Sequence, residues 1–276
     1  MPPGVPPAPA VAAEVFGEAL PKIIRYAALL AGPGIDRGLL GPAEAERLWD
    51  RHLLNCAAVA ELVPPRSSLV DLGSGPGLPG VVLAVMLPGV SVTLLEPMAR
   101  RADFLRECVA ELDLANATVL RGRAEDLASQ VGADVVTARA VAPLEKLAGL
   151  AAGLIRPGGL ILAIKGAGAA AEVARARPAL RRLGATEVEV RNVGSGIVNP
   201  AATVVVFTAR PPSSRSGRPT QDGSTPVSNP LPDPAAREAA EPPPRAGPPQ
   251  PATVDARPPA NPAGHRHPPA SRVLTS

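Results

Sequence analysis

Ser68 to Gly80 reads SLVDLGSGPGLPG: a short apolar run carrying Asp71, then Gly73, Gly75, Gly77 and Gly80, with helical sequence after it at Val81–Leu87. Strand, glycine turn and helix bring a ligand against bare backbone at the C-terminal edge of a parallel sheet. A Cβ at those positions would block both positive φ angles and close approach. Gly75 to Gly80 satisfies GxGxxG literally, so a dinucleotide is one candidate ligand. Glu96 ends the next apolar run about 20 residues on, where an acid commonly meets ribose hydroxyls; read alone, it is also compatible with an ordinary solvated strand-end carboxylate.

Three features favour S-adenosylmethionine over NAD. Asp71 stands two residues before the first glycine, within reach of a cofactor amine directly or through water. Pro76 and Pro79 remove amides that a pyrophosphate would want from the turn and helix start. Ala124-Glu125-Asp126 follows the third predicted strand, where backbone groups can read an adenine edge with an acid nearby; the two acids also suit a helix N-terminus. An oxidoreductase using GxGxxG, and a non-catalytic RNA-binding protein with a vestigial cofactor fold, are the competing readings.

The elements that position these residues alternate. Strands are predicted at Ser68–Leu72, Ser91–Glu96, Thr118–Arg121, Asp134–Ala138 and Leu160–Lys165, with helices at Val81–Leu87, Arg100–Leu112, Glu125–Gln130 and Leu144–Leu154. Such alternation means parallel pairing with helices on both faces. A helix at Ala169–Leu183 is expected to kink or restart at Pro178. Thr186–Asn192 and Thr203–Thr208 have no helix between them and should pair as an antiparallel hairpin. Two helices, Glu14–Ala31 (ending at Gly32-Pro33-Gly34) and Pro42–Leu62, precede the sheet.

The 276 residues include 36 prolines, crowded toward the end of the chain. From Pro211 aliphatic periodicity vanishes, so 211–276 reads as a disordered tail and 1–9 likewise, leaving 10–210 as one α/β domain. A net charge of +3 permits nucleic acid without demanding it. Cys56 and Cys108 are in no metal-like spacing and read as buried reduced thiols. Two of three histidines, His265 and His267, fall in the tail, so no metal site is expected. With no signal peptide and no membrane-length apolar run, a soluble cytoplasmic protein is expected.

The residues now on view resemble one family: DLGSGPGLPG at 71–80, LLEP at 94–97, Arg100-Arg101 with Phe104-Leu105, RGRAEDL at 121–127, ARA at 138–140, IKG at 164–166, and RHLL at 51–54. The chain resembles the RsmG (GidB) family of S-adenosylmethionine-dependent methyltransferases, which modify a guanine at N7 in small-subunit (16S) ribosomal RNA. The similarity is best from Leu48 to Lys165. It implies a class I methyltransferase (Rossmann-like) α/β fold with a C-terminal antiparallel hairpin. It also implies cofactor binding by Gly73, Leu78, Ala124, Glu125 and Arg139, with Gly75, Gly77 and Glu96 in support. Arg139, at the fourth strand's end, would face both cofactor and substrate, and Arg139 and Lys165 are the candidate guanine-positioning residues. Arg123 is open between phosphate contact and loop support. His52 reads as a helix-packing or helix-surface residue rather than a catalyst.

The partner implied is small-subunit ribosomal RNA or the assembling small subunit. The family's asparagine-rich segment between the first two helices is LLAGPGIDRGLLGP here (29–42), and its charged residues before the last strand are replaced by Asn199-Pro200-Ala201-Ala202-Thr203, so neither role is carried over. Aromatic residues are 2% of the chain, too few for a base-stacking platform. RNA recognition is therefore expected to rest on phosphate contacts and RNA shape, with steep salt dependence.

Overall fold

The computed structural model describes residues 6–128, 130–196 and 198–209. Its strands are β1 (Ser68–Leu72), β2 (Ser91–Glu96), β3 (Ala117–Arg121), β4 (Ala133–Arg139), β5 (Ile155–Lys165), β6 (Thr186–Val193) and β7 (Ala202–Thr208). They form one sheet in the order β3-β2-β1-β4-β5-β7-β6. β1 pairs in parallel with β2 and β4, β2 with β3, and β4 with β5; β7 runs antiparallel to both β5 and β6. The predicted hairpin forms, and its second strand is the inner one. Valines and Phe207 of β7 are buried between β5 and β6, whereas β6 is mostly exposed at the edge. The strand order reverses beside β1, whose C-terminal end leads into the glycine loop; this is the switch point at which open α/β sheets hold ligands.

Strand side chains alternate between two cores, as the pleat requires. Leu69, Val92, Leu94, Val135 and Leu162 face one. Val70, Leu72, Leu95, Val136 and Ile161 face the other. Helices α1 (Ala10–Phe16), α2 (Leu20–Leu29), α3 (Asn55–Ala57), α4 (Gly80–Met86) and α5 (Ala99–Glu111) supply the first core. Helices α6 (Leu144–Ala152) and α7 (Ala169–Arg182) cover the second.

Several expectations change. The single helix Glu14–Ala31 begins earlier, at Ala10. It passes through a tight turn at Gly17–Ala19, where Gly17 takes a positive φ, and continues past Gly32-Pro33-Gly34 as a wide π turn. Burial of Phe16, Ile23, Tyr26, Ala27 and Leu30 in the first core outweighs the breaker residues. Pro42–Leu62 is helical but irregular, with 3₁₀ turns at Pro42–Arg47, π turns at Leu48–Leu54, α3, then 3₁₀ turns at Ala58–Leu62. Among the described residues of Glu125–Gln130 no helix forms. Three tight backbone bonds (Asp126 to Arg123, Leu127 to Ala124, Gln130 to Leu127) make turns instead. α7 runs unbroken through Pro178, which is exposed, as is Ala174, so the carbonyl left without a helical donor lies on the water-facing side.

Of the two terminal segments expected to be disordered, residues 1–5 of the first and all of the second, 211–276, lie outside the described residues. Pro6 is described, and its carbonyl accepts the Trp49 indole N–H at 3.0 Å. Among the described residues no helix is long and apolar enough to cross a membrane.

Candidate active site

The glycine loop is anchored by its neighbours before any ligand is considered. Gly73 and Ser74 donate to the Leu95 carbonyl, and Gly75 N–H donates to Glu96 Oε2 at 2.9 Å. Asp71 lies beneath the loop, fully buried, and its Oδ2 accepts the Gly80 N–H at 2.9 Å. From the N-terminal layer, the buried Tyr26 hydroxyl donates to the Pro76 carbonyl at 2.8 Å. Two glycines are required by this packing. A Cβ on Gly77, whose φ is +104°, would stand 2.5 Å from Val81 and 2.6 Å from the Tyr26 hydroxyl. On Gly80 it would stand 2.5 Å from the Asp71 carboxylate.

Burial pushes the Asp71 carboxyl up to about 6, opposed by hydrogen bonding at the loop. Its Oδ1 has no hydrogen-bond partner among the described residues. A buried carboxylate with an unmet oxygen favours a positive charge at the adjoining site, which a sulfonium cofactor with an ammonium group supplies and a pyrophosphate does not.

Beside the loop, a cavity of about 270 Å³ opens at the strand ends. Gly73, Ala124 and Glu125 line it together with Leu72, Leu95, Arg123, Val141 and Leu150. Its lining is mainly apolar, with Arg123, Glu125 and Lys146 the charged members, and such a cavity suits a flat heteroaromatic ring such as adenine. Gly73, Ala124 and Glu125 are thus brought together. Leu78 is not; it is buried in the core behind the loop. Gly75 and Gly77 shape the turn rather than the cavity wall. Glu96 is 1% exposed, with its second oxygen accepting the Met98 N–H at 3.0 Å; it fastens the loop to β2, and only its remaining lone pairs are left for a ribose.

A second and larger cavity, about 770 Å³, lies on the other side of the β4 end. Arg139 and Lys165 line it, facing Glu44, Arg47, Arg51 and His52 from the irregular helical segment. The backbone parts the two cavities at Ala140, which takes a φ of +57°. Ala140 lines the larger one and Val141 the smaller. A non-glycine residue held there marks strain of the kind that accumulates at functional sites.

The two cations differ. Lys165 Nζ donates to Ala142 O and to Glu172 Oε1, both at 2.9 Å, and its side chain is 11% exposed. It braces α7 against the end of β4, and two of the ammonium's three donors are so engaged, leaving one for the role of guanine-positioning residue expected for it. Arg139 has no carboxylate partner among the described residues; it donates to the Arg51 carbonyl at 3.2 Å and to His52 Nδ1 at 2.7 Å. His52 in turn bonds Glu44 Oε2 through Nε2 at 2.7 Å. Its assignment as a packing residue is half right, since it is 6% exposed, yet both ring nitrogens are engaged at the cavity wall. Burial, then the Arg139 charge, hold His52 below the ordinary histidine value against the opposing pull of Glu44.

Cys56 and Cys108 are buried free thiols, as expected, pushed up to about 11 and about 12, mainly by burial. Tyr26 and Glu44 were not singled out by the sequence. The signal for Tyr26 was its place as the chain's one tyrosine on a buried stripe. Glu44 gave none.

Comparison with known proteins shows which family the chain matches. A family model described as rRNA small subunit methyltransferase G (GidB) matches residues 19–199. A relative from Thermobifida fusca, named ribosomal RNA small subunit methyltransferase G, is 56% identical over 197 residues, covering 71% of this chain and 83% of its own. Proteins of the same name from Mycolicibacterium gilvum and Salinispora tropica are 52% and 53% identical; the matches cover 78% and 76% of this chain and 96% and 94% of theirs. Among solved structures, a SAM-dependent O-methyltransferase from Thermotoga maritima overlaps with a TM-score of 0.47 at 14% identity, covering 58% of this chain and 66% of that one. The fold assignment rests on the sheet order, not on that overlap.

Proposed function

The chain belongs to the rRNA small subunit methyltransferase G family, and from this we propose that it methylates N7 of a guanine in small-subunit ribosomal RNA, with S-adenosylmethionine as donor. Bound S-adenosylmethionine supplies an electrophilic methyl group. The chain's part is to hold it through the glycine loop and the cavity of Gly73, Ala124 and Glu125, and to present the base from the larger cavity beyond Ala140.

The observation that carries the choice of N7 is Arg139. A guanidinium has five N–H donors, and the bonds to Arg51 and His52 use two of them. The others are left for the cavity, where a cation can meet guanine O6 on the edge that carries N7. N7 has a lone pair and no proton, so its reaction needs no general base. The site agrees with that requirement. The His52 imidazole is engaged at both nitrogens, the thiols are buried, and Glu46 and Asp50 sit exposed on the rim. Rate then comes from alignment and charge placement. The GxGxxG oxidoreductase and the non-catalytic RNA-binding protein find no support in the family match.

The substrate we favour is RNA within the assembling small subunit, because so few aromatic side chains leave recognition to RNA shape and phosphates. The test is transfer of labelled methyl from S-adenosylmethionine to purified small subunits and to naked RNA, with the modified atom mapped by reduction and aniline cleavage. Label at guanine N7 is expected. Label on an exocyclic amine or a ribose oxygen would refute the reading.

A further inference from the structure

Arg139 is held by a side chain whose hydrogen-bonding sense is fully determined. A guanidinium donates and never accepts, so His52 Nδ1, 2.7 Å from Arg139 Nη2, must present its lone pair. The ring proton is then on Nε2, which faces Glu44 Oε2 at 2.7 Å. Glu44 also accepts from Arg51 at 3.3 Å and is held below the usual carboxylate range, chiefly by its bond to His52. The chain Glu44–His52–Arg139 therefore runs in one direction, from anion through neutral imidazole to the cavity's cation.

We propose that Glu44 and His52 are positioning residues for Arg139: neutral His52 fixes the guanidinium at the mouth of the base cavity, and protonation of His52 releases it. In the protonated ring Nδ1 also carries hydrogen, so two donors and two positive charges confront one another. Arg139 then keeps only the longer bond to the Arg51 carbonyl. The groups facing His52 are Glu44 and Arg51 on its own segment and Arg139 on β4, with Lys165 across the cavity already paired to Glu172. The net surroundings favour the uncharged ring, so at neutral pH Arg139 is held, and acidification lets it go. This inference rests on the reading that Arg139 serves the base.

The histidine can be divided. In His52→Asn the amide falls near Nδ1 and its oxygen can still accept from Arg139. In His52→Gln it falls near Nε2, and that acceptor is lost. His52→Gln should lower kcat/KM for RNA by about 10- to 100-fold, the scale of a misplaced catalytic group. His52→Asn should recover most of that loss and abolish the fall in activity that the parent shows on acidification. A purely structural role for His52 would leave the acid limb in both variants, and so would overturn the proposal.

A second readout does not depend on activity. In the ¹⁵N spectrum of the imidazoles, with the His52 signal identified by its absence from His52→Asn, the neutral ring should be the Nε2–H tautomer. Its titration should move up in Arg139→Gln and down in Glu44→Gln. An Nδ1–H tautomer, or a titration that responds to neither change, overturns the relay. Absence of guanine N7 methylation by the parent protein would instead refute the functional reading and leave this spectral result standing.

Discussion

The two cavities on either side of Ala140 are built in different ways. On the side proposed for the cofactor the work is done by backbone. Amides of Gly75 and Gly80 are tied to Glu96 and Asp71, a tyrosine caps one carbonyl, and small residues leave the space. On the side proposed for the base the work is done by side chains from separate segments, Glu44, His52 and Arg139, meeting through hydrogen bonds. A backbone-built site is sensitive to added volume and tolerant of changes in distant charge; a side-chain relay is the reverse. Damage to the first should appear in cofactor affinity. Damage to the second should appear in turnover.

The largest effect is expected from Gly77→Val. It forces a β-branched residue to a φ of +104° and places Cβ within 2.6 Å of the Tyr26 hydroxyl. Strain and overpacking of about 3 kcal/mol or more should lower S-adenosylmethionine affinity by 100-fold or beyond, as read by calorimetry. Retained affinity would break the comparison at its first term.

Arg139→Ala should come next, with methyl transfer to small-subunit RNA reduced by about 100-fold, typical of losing one preorganised charged donor. Its cofactor affinity should fall by much less. Equal losses in both would place Arg139 on the cofactor side.

Asp71→Asn sharpens the comparison through pH. Burial raises the Asp71 carboxyl from the ordinary aspartate value of 3.8 to about 6, a penalty of about 3 kcal/mol on the buried charged form. Because the folded value is the higher one, this group's contribution to stability is full below about 4 and is lost as pH rises toward about 6. The asparagine variant should lose that descending component in denaturation midpoints measured from pH 4 to 7. It should also bind S-adenosylmethionine about tenfold more weakly, since a buried negative charge beneath the glycine loop has been removed.

Tyr26→Phe is the mildest change. Loss of one hydroxyl bond to Pro76 should cost about 1 kcal/mol and weaken cofactor binding about fivefold.

The difference between the regions also explains what could be read from residues alone. β1 and β2 carry the boundaries expected of them because the apolar runs are short and end at turn residues. The glycine loop was legible because a contiguous segment makes it. The larger cavity was not. Arg139 and His52 are 87 positions apart, and Tyr26 and Pro76 are 50 apart; no local pattern records which will meet. The helix expected at Glu125–Gln130 failed for a related reason, since charge and helix propensity there compete with a short connection that must also wall a cavity. Lys165 shows the limit on the other side. Its place at a strand end was read correctly, but its partner Glu172 comes from the following helix and decides what the ammonium is free to do.

The separation of the two regions is tested most directly by single-turnover methyl transfer to small-subunit RNA, measured against S-adenosylmethionine concentration for Tyr26→Phe and Arg139→Ala. Saturating cofactor should restore the Tyr26→Phe rate to near the parental value and leave Arg139→Ala slow. Restoration of the Arg139→Ala rate at saturation would contradict the account, because Arg139 would then act by holding the cofactor and not the base.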